Sequence, residues 1–137
     1  MYATVKDMLD RFGLKEVISL TDREYEAEVN EAVALNALED ATAEIDSYLV
    51  KFTKPFDSVP RVIEMYCCDI ARYRLTGTDV LEDSVIAQRY AKAIDFLEKV
   101  ASGKLSLGGL PDGQEAKTED VVMFSEKQKV FGRDNPY

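Results

Sequence analysis

The chain has 137 residues, of which 46% are hydrophobic and 31% are charged, with only 7 Gly and 4 Pro. This length and composition predict one compact domain with its own core, and they argue against a disordered, collagen-like or two-domain protein. No stretch approaches the roughly 20 apolar residues of a membrane span, and the first residues do not resemble a secretory signal. We therefore expect a soluble protein that is made and kept in a cytoplasm.

The formal charge is −9 at neutral pH, and the chain has no histidine. An acidic protein gains little from neutralising phosphates, so binding to nucleic acid or to an acidic membrane through a basic face is disfavoured. The acid is concentrated in residues 1–60, which carry 6 Lys and Arg against 13 Asp and Glu. Without histidine, His-dependent triads and imidazole metal ligands are excluded.

Helical periodicity dominates the first half of the chain. Thr4 and Asp7 predict the capping box of a short helix that ends at Gly13, and residues 14–20 predict one or two further turns. Residues 28–51 predict a long amphipathic helix, because apolar residues recur at intervals of three and four. The predicted buried stripe of this helix is Val29, Ala32, Leu35, Leu38, Ala41, Ile45, Tyr48 or Leu49, and Phe52.

Two more long helices follow a connection at residues 52–60, where Pro55 and Pro60 disfavour helix. Residues 61–75 are apolar around most of the helix circumference, which is typical of the buried centre of a bundle, and Gly77 is a suitable cap at the end. The last helix is predicted over residues 83–102. Its apolar stripe is Ile86, Tyr90, Ala93 or Ile94, Leu97, and Val100 or Ala101.

The pattern changes after Gly103, where glycine and proline break any regular element. We therefore predict an all-α fold with a helical bundle at residues 1–103 and an extended C-terminal arm at residues 104–137. Two short apolar patches in the arm could form a β-hairpin. These patches either fold back on their own bundle or dock on another copy or partner. The candidate interface residues are Val121, Val122, Met123, Phe124, Val130 and Phe131.

We find no catalytic, cofactor or metal site in the sequence. Cys67 and Cys68 are adjacent, which ordinary disulfide geometry forbids, so we expect reduced and buried thiols. The acidic run at residues 22–28 invites a calcium interpretation, but Ala27 and Val33 stand where an EF-hand loop requires Gly and Glu. A solvated acidic loop ahead of a helix is the simpler interpretation.

The second half of the most apolar helix carries the charged residues Asp69, Arg72 and Arg74. Because buried charges need partners, and because residues three apart share a helix face, we expect Asp69 and Arg72 to form an ion pair. The alternative is that Arg72 or Arg74 reaches a subunit interface or DNA. The tyrosines at 48, 66, 73 and 90 lie on helical stripes, and we expect them to pack with their hydroxyls turned to polar partners.

Five segments carry a resemblance to a known family: MYATVKDMLDRFG at the start, then ISLTDR, AEIDSYL, CDIARYRL and DVVMFSEKQKVFGRD near the end. Together, and in this order, they resemble the small head-tail junction proteins of Mu-like phages and prophages. The resemblance implies a helical neck protein that assembles as a homo-oligomeric ring below the portal, with the portal and tail-proximal neck proteins as partners. It implies no enzymatic activity.

The location implied is the head-tail junction of the virion, and the host cytoplasm during assembly. DNA would pass through the lumen without specific binding, because an acidic wall repels the duplex as it slides. No membrane is involved. The competing interpretation is a small regulatory or adaptor module that binds a single protein partner through the C-terminal arm.

Overall fold

The computed structural model describes residues 1–52, 56, 58–77 and 80–107. Over these ranges it contains five α-helices and no strand, so the all-α prediction is confirmed. The helices are α1 (Val5–Phe12), α2 (Leu14–Thr21), α3 (Glu31–Tyr48), α4 (Arg61–Thr76) and α5 (Val85–Ala101). The sequence predicts an extended arm at residues 104–137, with a hairpin at its apolar patches as a second interpretation. Most of these residues lie outside the described ranges.

Short polar side chains set where the helices begin. Thr4 accepts a hydrogen bond from the N–H of Asp7 at 3.1 Å, and the Asp7 carboxylate accepts one from the N–H of Thr4 at 2.8 Å, which is the predicted capping box. The side chain of Asn30 caps α3 in the same way, by accepting from the N–H of Val33. This cap starts α3 three residues later than the apolar periodicity predicts.

Glycines set two of the helix ends. Gly13 has φ 89° and separates α1 from α2, and Gly77 has φ 67° and ends α4. Residues other than glycine rarely adopt these backbone conformations. The chain therefore turns at both positions, as the sequence predicts.

Helix α4 lies at the centre of the bundle and packs against α2, α3 and α5. Half of its 16 residues are buried: Ile63, Tyr66, Cys67, Cys68, Asp69, Ile70, Ala71 and Leu75. This confirms the prediction that the apolar circumference of residues 61–75 marks a central helix. Helix α1 closes the bundle by packing against α2 and α3.

The buried stripe of α3 differs from the predicted one in its first half. Ala34 and Ala37 are buried, whereas Ala32 and Leu35 are exposed. The prediction followed the large side chain of Leu35, but small alanines line this part of the contact, where they let α3 approach its neighbours closely. The second half follows the prediction, with Leu38, Ala41, Ile45 and Leu49 fully buried.

The chain after α5 turns back onto the bundle. The backbone N–H groups of Lys104 and Leu105 both donate to the carbonyl oxygen of Lys99, and Leu107 is 2% exposed and belongs to the core. The compact part of the chain therefore includes at least these residues beyond Gly103.

The thiols of Cys67 and Cys68 are free and buried, as expected from their adjacency. Burial raises the pKa of both thiols, and that of Cys68 to about 12. We expect neither cysteine to react with a thiol reagent in the native protein at pH 8, because both thiols are buried with raised pKa values, and only about one Cys68 thiol in 10,000 would be ionised. Timed alkylation followed by mass spectrometry measures this.

A matched control places a new thiol on the surface. Ser19→Cys lies on the exposed side of α2 and should be alkylated within minutes, while Cys67 and Cys68 of the same molecule remain unmodified until denaturant is added. Equal rates at all three positions would contradict the buried assignment.

Candidate functional site

An open cleft of about 610 Å³ lies between α1, α4 and α5. Its wall carries the apolar side chains of Phe12, Met65, Tyr66 and Val85, and its polar residues are Arg11, Asp69, Gln88, Arg89 and Lys92. The cleft therefore joins an apolar surface, suited to an aromatic or aliphatic group, with three basic side chains and one carboxylate.

Asp69 is the buried carboxylate of this cleft, with 7% of its surface exposed. Within the described part of the chain, no hydrogen bond or ion pair reaches its side chain. Burial raises the pKa of Asp69, while the positive charges of Arg89, Arg72 and Arg11 oppose that rise. A carboxylate that is removed from water and has no donor requires a partner from elsewhere, or it remains a cost to folding.

Arg72 does not pair with Asp69, so the predicted ion pair is wrong. Its Nε donates to Glu16 of α2 at 2.7 Å, and its guanidinium lies 4.5 Å from the centre of the Phe12 ring. The prediction considered only residues on α4 itself, whereas α2 brings a carboxylate to the same place. Arg11 forms a similar cross-helix pair with Glu64 at 3.0 Å. These contacts fix the side of the cleft formed by α1.

Arg74 pairs with Glu44 of α3 at 2.7 Å, on a different side of α4. Glu44 also accepts a hydrogen bond from the hydroxyl of Tyr90 at 2.8 Å, and the Tyr90 ring stacks on Tyr73 with centroids 3.9 Å apart. Burial and the bond to Glu44 raise the pKa of Tyr90 to about 12. This cluster joins α3, α4 and α5, and Arg72 and Arg74 are thus both occupied within the bundle.

The acidic run at residues 22–28 forms the loop between α2 and α3. The carboxylate of Asp22 accepts hydrogen bonds from the backbone N–H groups of Glu26 and Ala27, each at 2.8 Å. Tyr25 and Ala27 have positive φ angles of 56° and 60°, and Tyr25 is 92% exposed. No three carboxylate or thiol side chains in the described ranges converge as metal ligands would.

The interface residues predicted from the sequence are Val121, Val122, Met123, Phe124, Val130 and Phe131, and all of them lie outside the described residues. None of the helices described here is long and apolar enough to cross a membrane.

Comparison with known proteins places the chain in a phage family. The family model described as "Bacteriophage Mu, Gp36" matches residues 2–126. The chain is 37% identical over 134 residues to the Mu-like prophage FluMu protein gp36 of Haemophilus influenzae, covering 97% of this chain and 94% of that protein. It is 33% identical over 140 residues to Gene product J of Escherichia phage Mu, covering 95% of this chain and 98% of that protein.

The chain belongs to the bacteriophage Mu gp36 family. The resemblance to Mu-like phage and prophage proteins that the five sequence segments indicate is therefore confirmed at the level of the family.

Sequence reasoning missed the cleft of this gp36-family chain. Val85, Gln88, Arg89 and Lys92 recur at intervals of three and four on α5, so they share one helix face. That spacing was available in the sequence as a signal. It could not show that Asp69 and Phe12, from α4 and α1, complete the same surface, because this depends on how the three helices pack.

We expect Arg72→Ala to destabilise the protein by about 2 to 3 kcal/mol, because it exposes Phe12 and leaves Glu16 without its partner. Arg74→Ala on the same helix is the matched control. Its side chain is 43% exposed, so the loss of its ion pair should cost only about 0 to 1 kcal/mol. Urea unfolding followed by circular dichroism measures both. Equal losses of unfolding free energy would show that the contacts of Arg72 with Phe12 and α2 stabilise the protein no more than the ion pair of Arg74 does.

Asp69 should make stability depend on pH in a direction opposite to that of a salt-bridged carboxylate. Its pKa is higher in the folded than in the unfolded protein, so the folded state takes up the proton first as the pH falls. The penalty for burying the charge is absent below the ordinary pKa of 3.8 and grows as the pH rises through the raised value.

The variant Asp69→Asn lacks this penalty at every pH. Relative to wild type, the variant should therefore be most stable at neutral pH, and its advantage should shrink as the pH is lowered towards 4. Unfolding free energies of the two proteins at pH 7, 5.5 and 4.5 test the trend. An advantage that instead grows on acidification would contradict the raised pKa.

Proposed function

We propose that this gp36-family chain is a structural subunit of the virion, acting as a head-tail connector in a homo-oligomeric ring below the portal, and that it is not an enzyme. The proposal rests on the open cleft. This cleft lies on a helical bundle that ion pairs and hydrogen bonds between helices hold together, in a chain that belongs to a phage protein family. The cleft offers an apolar and charged surface, which suits a protein contact. The described residues that line it include no serine, threonine, cysteine or histidine and one carboxylate, so they offer neither a serine- or cysteine-type nucleophile with a histidine base nor a pair of carboxylates.

The construction of the bundle supports a mechanical role. Two ion pairs and one hydrogen bond join helices that are distant in sequence: Arg11 with Glu64, Arg72 with Glu16, and the Tyr90 hydroxyl with Glu44. Each contact crosses from one helix to another, so the helices resist sliding past each other. A ring subunit requires a body of this kind, together with surfaces that grip its neighbours.

The charge of the chain supports a lumen through which DNA passes without specific binding. Glu31, Glu39 and Asp40 are exposed on α3. A wall with this charge repels phosphates, so a sliding duplex would not adhere to it. In this proposal the portal and the tail-proximal neck proteins are the neighbours along the axis.

The residues beyond Leu107 supply the proposed contacts with those neighbours. Residues 108–137 number 30 and contain both apolar patches, Val121–Phe124 and Val130–Phe131. A segment of this length spans up to about 100 Å when fully extended, which exceeds the width of a small subunit. Its apolar side chains are suited to anchor in a partner's surface.

The proposed role is tested on phage particles. Mass spectrometry of purified virions should find the chain at a fixed number of copies per particle, and electron cryomicroscopy of the neck should place it in a closed ring below the portal. A small heterocomplex of defined stoichiometry with one host or phage protein, outside the particle, would favour the regulatory adaptor. Complete virions without the chain would overturn the connector role.

Deletion of residues 108–137 should leave a folded helical bundle that cannot support particle assembly, because Leu107 and the rest of the core are retained. Circular dichroism should show an unchanged unfolding midpoint, and complementation of a phage lacking the gene should fail. Lys127→Ala with Lys129→Ala is the matched control within the same segment, and it should still complement because it spares the apolar patches. Loss of folding in the truncated protein would show that the deleted segment belongs to the core.

A further inference from the structure

Three groups in the cleft lack partners in the described part of the chain. Asp69 has no hydrogen-bond donor, and the exposed cations Arg89 and Lys92 have no carboxylate within ion-pair distance. Phe12 and Met65 add an apolar surface to the lining of the same cleft. An occupant that complements the cleft must present an apolar group with a hydrogen-bond donor, and it must carry a negative charge on either side of that group.

The loop at residues 22–28 of the same chain has this chemistry. Tyr25 carries an aromatic ring and a hydroxyl donor, and it stands between Glu24 and Glu26. Because Asp22 binds the backbone N–H groups of Glu26 and Ala27, the loop is held in one shape, and Tyr25 is 92% exposed at its outside. A preformed aromatic anchor loses little conformational freedom on binding.

We propose that the Tyr25 loop of one copy docks in the cleft of the next copy. The Tyr25 ring packs on Phe12 and Met65, its hydroxyl donates to the Asp69 carboxylate, and Glu24 and Glu26 pair with Arg89 and Lys92. This inference rests on the proposed homo-oligomeric ring and names the surfaces through which its subunits meet.

The geometry of such a contact agrees with a ring. The loop and the cleft share no residue, so each copy offers one of each, and a head-to-tail contact can leave one loop and one cleft free for further copies. Contacts of this type repeat around a closed ring, whereas a contact of one surface with itself stops at a dimer. Tyr25 is almost fully exposed in its own copy, so it does not occupy its own cleft.

Two defective variants isolate a single contact. The loop variant carries Glu24→Lys, Tyr25→Ala and Glu26→Lys, and the cleft variant carries Arg89→Glu and Lys92→Glu. All five side chains are exposed or lie on the cleft rim, so both variants should keep the wild-type helicity and unfolding midpoint. Controls with the same changes in charge are Glu39→Lys with Glu98→Lys, and Lys15→Glu with Lys104→Glu, all of them exposed and outside the cleft.

Analytical ultracentrifugation at concentrations up to about 1 mM should show wild type and both controls associating into species larger than a dimer. Each defective variant alone should be monomeric, with an association at least about tenfold weaker. An equal mixture of the two variants should give a heterodimer and nothing larger, because only one intact loop and one intact cleft remain. This pattern is specific to a head-to-tail contact.

The heterodimer also allows a test of the proposed hydrogen bond. Tyr25→Phe, which removes the donor, is added to the cleft variant, which supplies the loop, and Asp69→Ala, which removes the acceptor, is added to the loop variant, which supplies the cleft. Each change should weaken the heterodimer at least about fivefold, and both together should weaken it no more than one alone, because a single bond is lost.

The proposal is overturned by a wild-type chain that stays monomeric at about 1 mM, by variants that associate as wild type does, or by a mixture that forms no heterodimer. Additive effects of Tyr25→Phe and Asp69→Ala would overturn the assigned bond. If the neck of the virion shows a ring of this chain that still forms with the loop variant, the docking contact fails while the connector role stands.

Discussion

The burial of α4 is the constraint on which the rest of the fold depends. A helix that is apolar around most of its circumference must be covered on several sides, and α2, α3 and α5 provide that cover. Small side chains make the cover close: Ala37 and Ala41 of α3 are buried against a helix that presents Cys67 and Cys68, and Thr42 lies 3.7 Å from the Cys67 sulfur. The thiols thus act as small packing groups, with their reactivity suppressed by the same burial.

The charged side chains in the second half of α4 must reach the edges of this core, and each of them extends in a different direction. Arg72 reaches Glu16 on α2, and Arg74 reaches Glu44 on α3. Asp69 turns towards the gap between α1 and α5, where no donor meets it in the described part of the chain. Arg72 and Arg74 therefore bind the bundle together, whereas Asp69 provides a polar surface of α4 that is still open to a partner.

The sequence was sufficient for features that depend on neighbours along the chain. Thr4, Gly13 and Gly77 mark helix ends through local hydrogen bonds and backbone angles, and these predictions are confirmed. The sequence was insufficient where the burial or the partner of a residue depends on elements that are distant along the chain. Leu35 is the larger side chain, yet packing distance selects the alanines beside it for the core, and Arg72 takes a carboxylate from α2 that no spacing on α4 could reveal. The cleft is formed by three helices, and for the same reason it could not be predicted from the sequence.

A chain with a net charge of −9 repels its own copies, and the proposed ring has to overcome this repulsion. The repulsion between whole molecules is screened over about 8 Å at physiological ionic strength, whereas a docked Tyr25 loop would bring its carboxylates into direct contact with Arg89 and Lys92. Net charge thus opposes random encounters while local complementarity favours one orientation. Copies held side by side on a portal would be present at a high effective concentration, so that a weak contact between free subunits suffices to close the ring.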